Sequence, residues 1–110
     1  MKATQLTRGM KNRLMYVENK GGGLIDGAQA RIGWVSFSKT GRSVYYRGRS
    51  LARIRGGAAG NFIDLESGEE FWVSGVKARG SNTHPAESRI QVAVDEDAVS
   101  AYELLRRGGA

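Results

Sequence analysis

Between Gly41 and Gly56 the chain reads GRSVYYRGRSLARIRG: Arg42, Arg47, Arg49, Arg53 and Arg55 alternate with Tyr45, Tyr46 and small residues, and no acid interrupts them. Guanidinium groups bind phosphate or carboxylate through paired, planar hydrogen bonds, and a tyrosine ring offers a surface on which a base can stack. A second cationic stretch, GVKARGSN, places Lys77 and Arg79 between glycines directly after an apolar run, where backbone and side-chain donors can surround an anion. The chemistry these residues support is non-covalent recognition of a polyanion by Arg42, Tyr45, Arg47, Arg49, Arg53 and Arg55, with Lys77 and Arg79 as extra contacts. The plainer alternative is that Tyr46 is core, Tyr45 covers an edge, and the arginines guard an exposed strand against aggregation.

Bond-making chemistry finds little support. The chain has no cysteine and one histidine, His84, beside Pro85 in a polar stretch, so no nucleophile has an evident base. Carboxylates gather in two places, Asp64, Glu66, Glu69 and Glu70 around a turn, and Asp95 to Asp97 before an apolar helical stripe. The first set reads as turn solvation and cross-strand pairing with arginines, the second as helix capping. Neither has the spacing of a calcium loop. SKTG holds P-loop letters in the wrong order, and Gly57 to Gly60 is a bare GxxG; both read as turns. A non-enzymatic protein without metal or cofactor is the expectation.

These side chains need a scaffold, and its outline follows from periodicity. One domain is expected from 110 residues, and 17 Lys and Arg against 11 Asp and Glu give a formal charge of +6. No run of about 18 apolar residues or apolar leader is seen, and the missing cysteines fit a reducing compartment, so a soluble cytoplasmic protein without membrane contact is expected. Residues 1–10 read as a flexible arm, 11–107 as the domain and 108–110 as a tail.

RLMYVE predicts a strand, followed by a long flexible loop in NKGGGLIDG. QARIGWVSFS carries apolar residues on both parities around Gly33, the mark of a strand buried on two faces or bent by a bulge. SVYYR puts Val44 and Tyr46 on one face and Ser43, Tyr45 and Arg47 on the other, with a parity break near Gly48. NFIDLESGEEFWVSG predicts a hairpin with Ile63 and Leu65 before the turn and Phe71 and Val73 after it. RIQVAVD directs Ile90, Val92 and Val94 inward. A helix over about 96–107 has Asp95 as its N-cap, Gly108 as its stop, and Ala98, Ala101, Tyr102 and Leu105 as its apolar stripe. The expected class is mainly β (α+β): a small, strongly curved antiparallel sheet or barrel of about six strands with a C-terminal helix.

From about Lys11 to Arg106, through KNRLMYVENK, ARIGWVSFSKTGRSVYYRG, NFIDLESGEEFWVSG and VDEDAVSAYELLRR, the chain resembles a family of small uncharacterised bacterial proteins. Members are often labelled 1-deoxy-D-xylulose-5-phosphate synthase. A thiamine-dependent synthase of that kind is several times longer and has a metal-binding diphosphate motif that nothing here matches. The resemblance therefore implies that the matching stretches form one fold, and it carries over no catalytic residue. This chain departs from it in having Val76-Lys77-Ala78-Arg79-Gly80 where the family has a Lys-Lys-Asp-Gly turn, and in its GGA tail.

The functional expectation is a binding module for nucleic acid or another polyanion. A second reading is a protein adaptor or inhibitor acting on a larger bacterial or phage assembly, or pairing with a second copy through opposite charge. A third is a pocket that sequesters a small anionic nucleotide.

Overall fold

The computed structural model describes residues 11–55, 60–79 and 90–108. The expected arm, His84, and Gly57 to Ala59 of the GxxG lie outside the described residues. Six strands, β1 (Lys11–Asn19), β2 (Ala30–Phe37), β3 (Ser43–Tyr46), β4 (Arg49–Arg53), β5 (Phe62–Asp64) and β6 (Glu70–Gly75), form an antiparallel barrel in the order β1-β6-β5-β4-β3-β2, closed by pairing of β1 with β2. β7 (Val92–Val94) joins from outside, parallel to the start of β2, and leads through one 3-10 turn (Glu96–Ala98) into α1 (Val99–Arg106). The fold is thus mainly β, a six-stranded barrel with one extra strand and a C-terminal helix, as the periodicity predicts.

Two-residue alternation sorts the side chains. Val17, Val35, Val44, Tyr46, Leu51, Phe62, Phe71 and Val73 fill the barrel, and the burial of Phe62 and Phe71 contributes about 2–3 kcal/mol each by apolar transfer. The opposite parity of β1 and β2 is buried too: Tyr16, Ala30 and Ile32 lie under Ile90, Val92, Val94 and Tyr102. This second core explains the apolar residues on both parities of β2. It needs no bulge, because the β1–β2 register runs unbroken from Lys11↔Phe37 to Glu18↔Ala30.

Gly33 has a different task. One edge of β2 pairs with β7 at Ala30–Ile32 and with β3 at Ser36–Phe37, and the gap between the two partners falls at Gly33. A Cβ there would overlap the Asp95 carboxylate and come within 2.9 Å of the Tyr46 hydroxyl oxygen. Only glycine lets the Asp95 side chain enter.

Three expectations are corrected. The glycine-rich loop after β1 is anchored: Ile25 is fully buried in the barrel core, and its carbonyl accepts Arg31 Nε–H at 2.7 Å. In the β5–β6 hairpin the inward residues before the turn are Phe62 and Asp64, whereas Ile63 is outward and Leu65 is exposed. Asp64 tolerates burial because its Oδ1 accepts the Glu66 and Ser67 amides at 2.8 and 3.2 Å and its Oδ2 pairs with Arg49. Asp95, at the N-cap position, makes no side-chain cap; its carboxylate turns into the barrel. At the other end of the helix Gly108 adopts a φ of 71° and donates its N–H to Leu105, so the expected stop holds.

Candidate functional site: two unlike ends of one barrel

Antiparallel closure sends the loops and termini of the six strands to two ends. One end collects the finish of β1, the start of β2, the β3–β4 turn and the β5–β6 hairpin. Here Tyr46 and Arg49 pair across a two-residue turn whose central residues, Arg47 and Gly48, both have positive φ (47° and 80°). That geometry matches the right-handed twist of a hairpin, and Gly48 satisfies it without strain. Arg47 occupies a backbone region that disfavours ordinary side chains and is held there by its contacts. Its Nε–H meets Asp26 Oδ2 at 2.6 Å and its Nη1 lies 3.3 Å from Asp95 Oδ1.

Asp95 is the centre of this end. It is 6 % exposed, and its carboxylate accepts from Arg31 Nη1 at 3.0 Å and from the Tyr46 hydroxyl at 2.5 Å, which ties the β7–α1 segment to strands β2 and β3. Burial pushes the Tyr46 phenol well above its ordinary range, and the hydrogen bond to Asp95 adds to that. Arg49 forms a second centre. Its Nη1 faces Asp64 at 3.0 Å and Glu69 at 3.5 Å, Nη2–H donates to the Leu24 carbonyl, and the guanidinium lies 5.3 Å from the centroid of Phe71. Buried Glu18, unremarked in the sequence, accepts from Tyr16 and Lys20 at 2.5 and 2.8 Å.

Asp26, Asp64 and Glu69 titrate low. The Arg47 guanidinium holds Asp26 below its usual value. For Asp64, burial alone would raise the pKa, but the amides of Glu66 and Ser67 and the charge of Arg49 outweigh it and the net shift is downward. Hydrogen bonds from Asn19 and Ser67 lower Glu69. A hollow of about 310 Å³ opens between Asp26, Arg47, Arg49, Asp64, Glu66 and Ser67. Both of its guanidiniums already face carboxylates, so an incoming anion would have to displace an internal partner. Among the described residues no group of His, Asp and Glu is arranged to hold a metal ion.

The opposite end is built from the starts of β1, β3 and β5 and the finishes of β2, β4 and β6. Its segments 11–13, 37–43, 53–55, 60–62 and 73–79 contain no Asp or Glu of their own, although the Glu70 carboxylate reaches in to accept the Gly60 N–H at 2.9 Å, and they carry Lys11, Arg13, Lys39, Arg42, Arg53, Arg55, Lys77 and Arg79, all exposed. Hydrogen bonding of Arg53 N–H to the Arg42 carbonyl at 2.8 Å makes those two residues neighbours across the sheet. Arg13 lies over the Phe37 ring, 5.7 Å from its centroid, and Arg53 over Phe62 at 4.9 Å. The two phenylalanines close the barrel core, and the guanidiniums lie upon them, their stems covering apolar surface while their charge stays in water. The guanidinium groups of Arg42 and Arg55 make no ion pair or hydrogen bond with the described residues. Lys77 and Arg79 sit on the chain leaving β6, where the Lys77 carbonyl accepts from Arg106.

The eight residues read from the sequence are therefore divided. Arg42, Arg53 and Arg55 share the cation-rich end, with Lys77 and Arg79 flanking it. Arg47 and Arg49 belong to the paired network at the other end. Tyr45 stands on the outer face, opposite Ser36 and Ser50 in the two neighbouring strands. Sequence reasoning missed Lys11, Arg13 and Lys39, which join the cation-rich end from β1 and the β2–β3 turn. The signal for Arg13 was present, since it shares the parity of Met15 and Val17 and so had to emerge at a barrel mouth. Comparison with protein-family models, curated proteins and solved structures finds no match to this chain.

Proposed function

We propose that the protein is a non-catalytic binding module whose cation-rich barrel end holds nucleic acid or another polyanion. One observation carries this reading: exposed cations from β1, the β2–β3 turn and β4 meet at a single mouth whose described segments supply no Asp or Glu, Glu70 reaching it only to cap the Gly60 N–H, and two of the cations rest on aromatic rings. Cations without internal partners attract phosphates without first breaking an ion pair, and each phosphate contact releases counterions.

The test is a titration with labelled single- and double-stranded DNA and RNA at several salt concentrations. Affinity is expected to fall steeply with salt and to collapse in the combined variant Arg42→Ala/Arg53→Ala/Arg55→Ala, while Arg49→Ala, drawn from the paired network, binds as the parent does. Equal losses in both variants, or salt-independent binding, overturns the reading.

A protein-docking role has its own support at the opposite end. Leu24 and Leu65 are 58 % and 64 % exposed there, and Arg49 links the segments that bear them. Two exposed leucines within a charged rim suit a protein contact. Salt-insensitive binding of a partner, lost on Leu24→Ser/Leu65→Ser, would favour that role.

A further inference from the structure

The outer face of β2, β3 and β4 is only partly covered. The second core lies over the opposite parity of β1 and the first half of β2, because β7 pairs only with Ala30–Ile32. Beyond that point the outward positions are Trp34 and Ser36 on β2, Ser43 and Tyr45 on β3, and Ser50 and Ala52 on β4, with Ser36 opposite Tyr45 opposite Ser50, and Ser43 opposite Ala52. None carries charge. Tyr45 is partly exposed, and Trp34 is 40 % exposed although its indole N–H is fixed by the Asp97 carbonyl at 3.0 Å. Tyr45 is flanked across the strands by Ser36 and Ser50, too short to cover its ring, while Trp34 stands opposite Leu14 of β1.

Trp34 sits two residues from the direct cross-strand partner of Tyr45, a diagonal relation in which backbones lie about 7–8 Å apart and aromatic side chains reach one another's neighbourhood. Arg42 immediately precedes Ser43 in the chain, and Arg53 immediately follows Ala52, so the β3–β4 part of this face runs directly into the cationic mouth, while Trp34 borders the turn that carries exposed Glu96 and Asp97. Anchored aromatic planes beside a phosphate-attracting rim form the arrangement that holds unpaired bases. In a duplex the base faces are already stacked and out of reach.

We infer that Trp34 and Tyr45 form a base-stacking platform continuous with the cationic mouth, and that the polyanion is single-stranded nucleic acid. The inference rests on the polyanion reading above and narrows it. A polyanion lacking bases uses the mouth alone, whereas a single strand uses mouth and platform together.

The experiment compares three probes on the full chain: an oligo-dT of about twelve nucleotides, within the span a small barrel covers, a duplex of equal length, and heparin. Tryptophan emission and anisotropy are recorded together. Oligo-dT is expected to bind at least about tenfold more tightly than the duplex at equal salt and to quench tryptophan emission. The quench should vanish in Trp34→Phe, which leaves Trp72 as the remaining tryptophan. Tyr45→Ala is expected to lose between about fivefold and a hundredfold in oligo-dT affinity, the range of one stacked base, with heparin affinity unchanged and Tyr45→Phe close to the parent. Equal affinity for strand and duplex, with no quench and no effect of Tyr45→Ala, overturns the platform while the cationic mouth stands. Failure of all three probes to bind overturns the mouth as well and assigns the face to a protein partner.

Discussion

The two ends of the barrel use the same residue type for opposite purposes. At one, Arg31, Arg47 and Arg49 are threaded among Asp26, Asp64, Glu69 and Asp95, and their charge is consumed within the fold. At the other, Arg13, Arg42, Arg53 and Arg55 project from a mouth whose described segments hold no acid. An arginine's meaning therefore depends on which end of its strand it occupies. Arg49 and Arg53 lie on the same strand and the same parity, yet one is structural and the other is available.

The contrast is broken most severely at Asp95. Asp95→Ala leaves Arg31 and the Tyr46 hydroxyl without their buried partner and is expected to cost about 3–5 kcal/mol in a urea titration. Asp95→Asn, which keeps an acceptor for Tyr46, should cost less. Gly33→Ala attacks the same place by volume. The added methyl displaces the carboxylate, for an expected loss of about 3 kcal/mol, and a midpoint equal to the parent's would show that the gap beside Gly33 closes in some other way.

Titration sharpens the comparison next. Asp26, Asp64 and Glu69 are lowered in the folded state, so their contribution is complete above the unfolded values of about 4 and is lost as pH falls through the folded ones. Denaturation midpoints should decline below about pH 4, and Asp64→Asn should shallow that decline. At the alkaline limit, Tyr16 and Tyr46 are raised, each chiefly by burial and then by a neighbouring carboxylate. Their contribution is full below about pH 10 and falls as pH rises beyond it, because the unfolded phenols ionise first. Phenolate absorbance from these two residues should appear together with unfolding; ionisation of both in a protein that stays folded would contradict their burial.

The smallest expected effect on stability lies at the cationic mouth. Arg42→Ala and Arg55→Ala remove exposed groups and should shift stability by less than about 0.5 kcal/mol, while each lowers the salt slope of polyanion binding by about 1. A mouth arginine whose removal costs as much stability as Asp95→Ala would erase the distinction between the ends.

Most strands, the β5–β6 hairpin, the helix and its stop were legible in the residues themselves, whereas the β3–β4 turn showed only as a parity break near Gly48. Alternation, turn formers and capping act over a few positions, and a local physical preference leaves a local mark. The residues before the hairpin turn did not reveal which face is inward, because Phe62 and Asp64 alternate as regularly as Ile63 and Leu65, and only the partners of Asp64 show why a carboxylate belongs inside. The dual parity of β2 announced two buried faces, but not that β7 and α1 would cover the outer one.

Charge partnership was hidden for a stronger reason. Arg47 and Asp95 are 48 residues apart in sequence and 3.3 Å apart in space, and nothing in either segment signals the other. The chain alone determined that arginine and tyrosine would be concentrated on β3 and β4. Barrel closure decided which of those cations meet a carboxylate and which face solvent, because ion pairing depends on through-space distance and the strand order sets that distance.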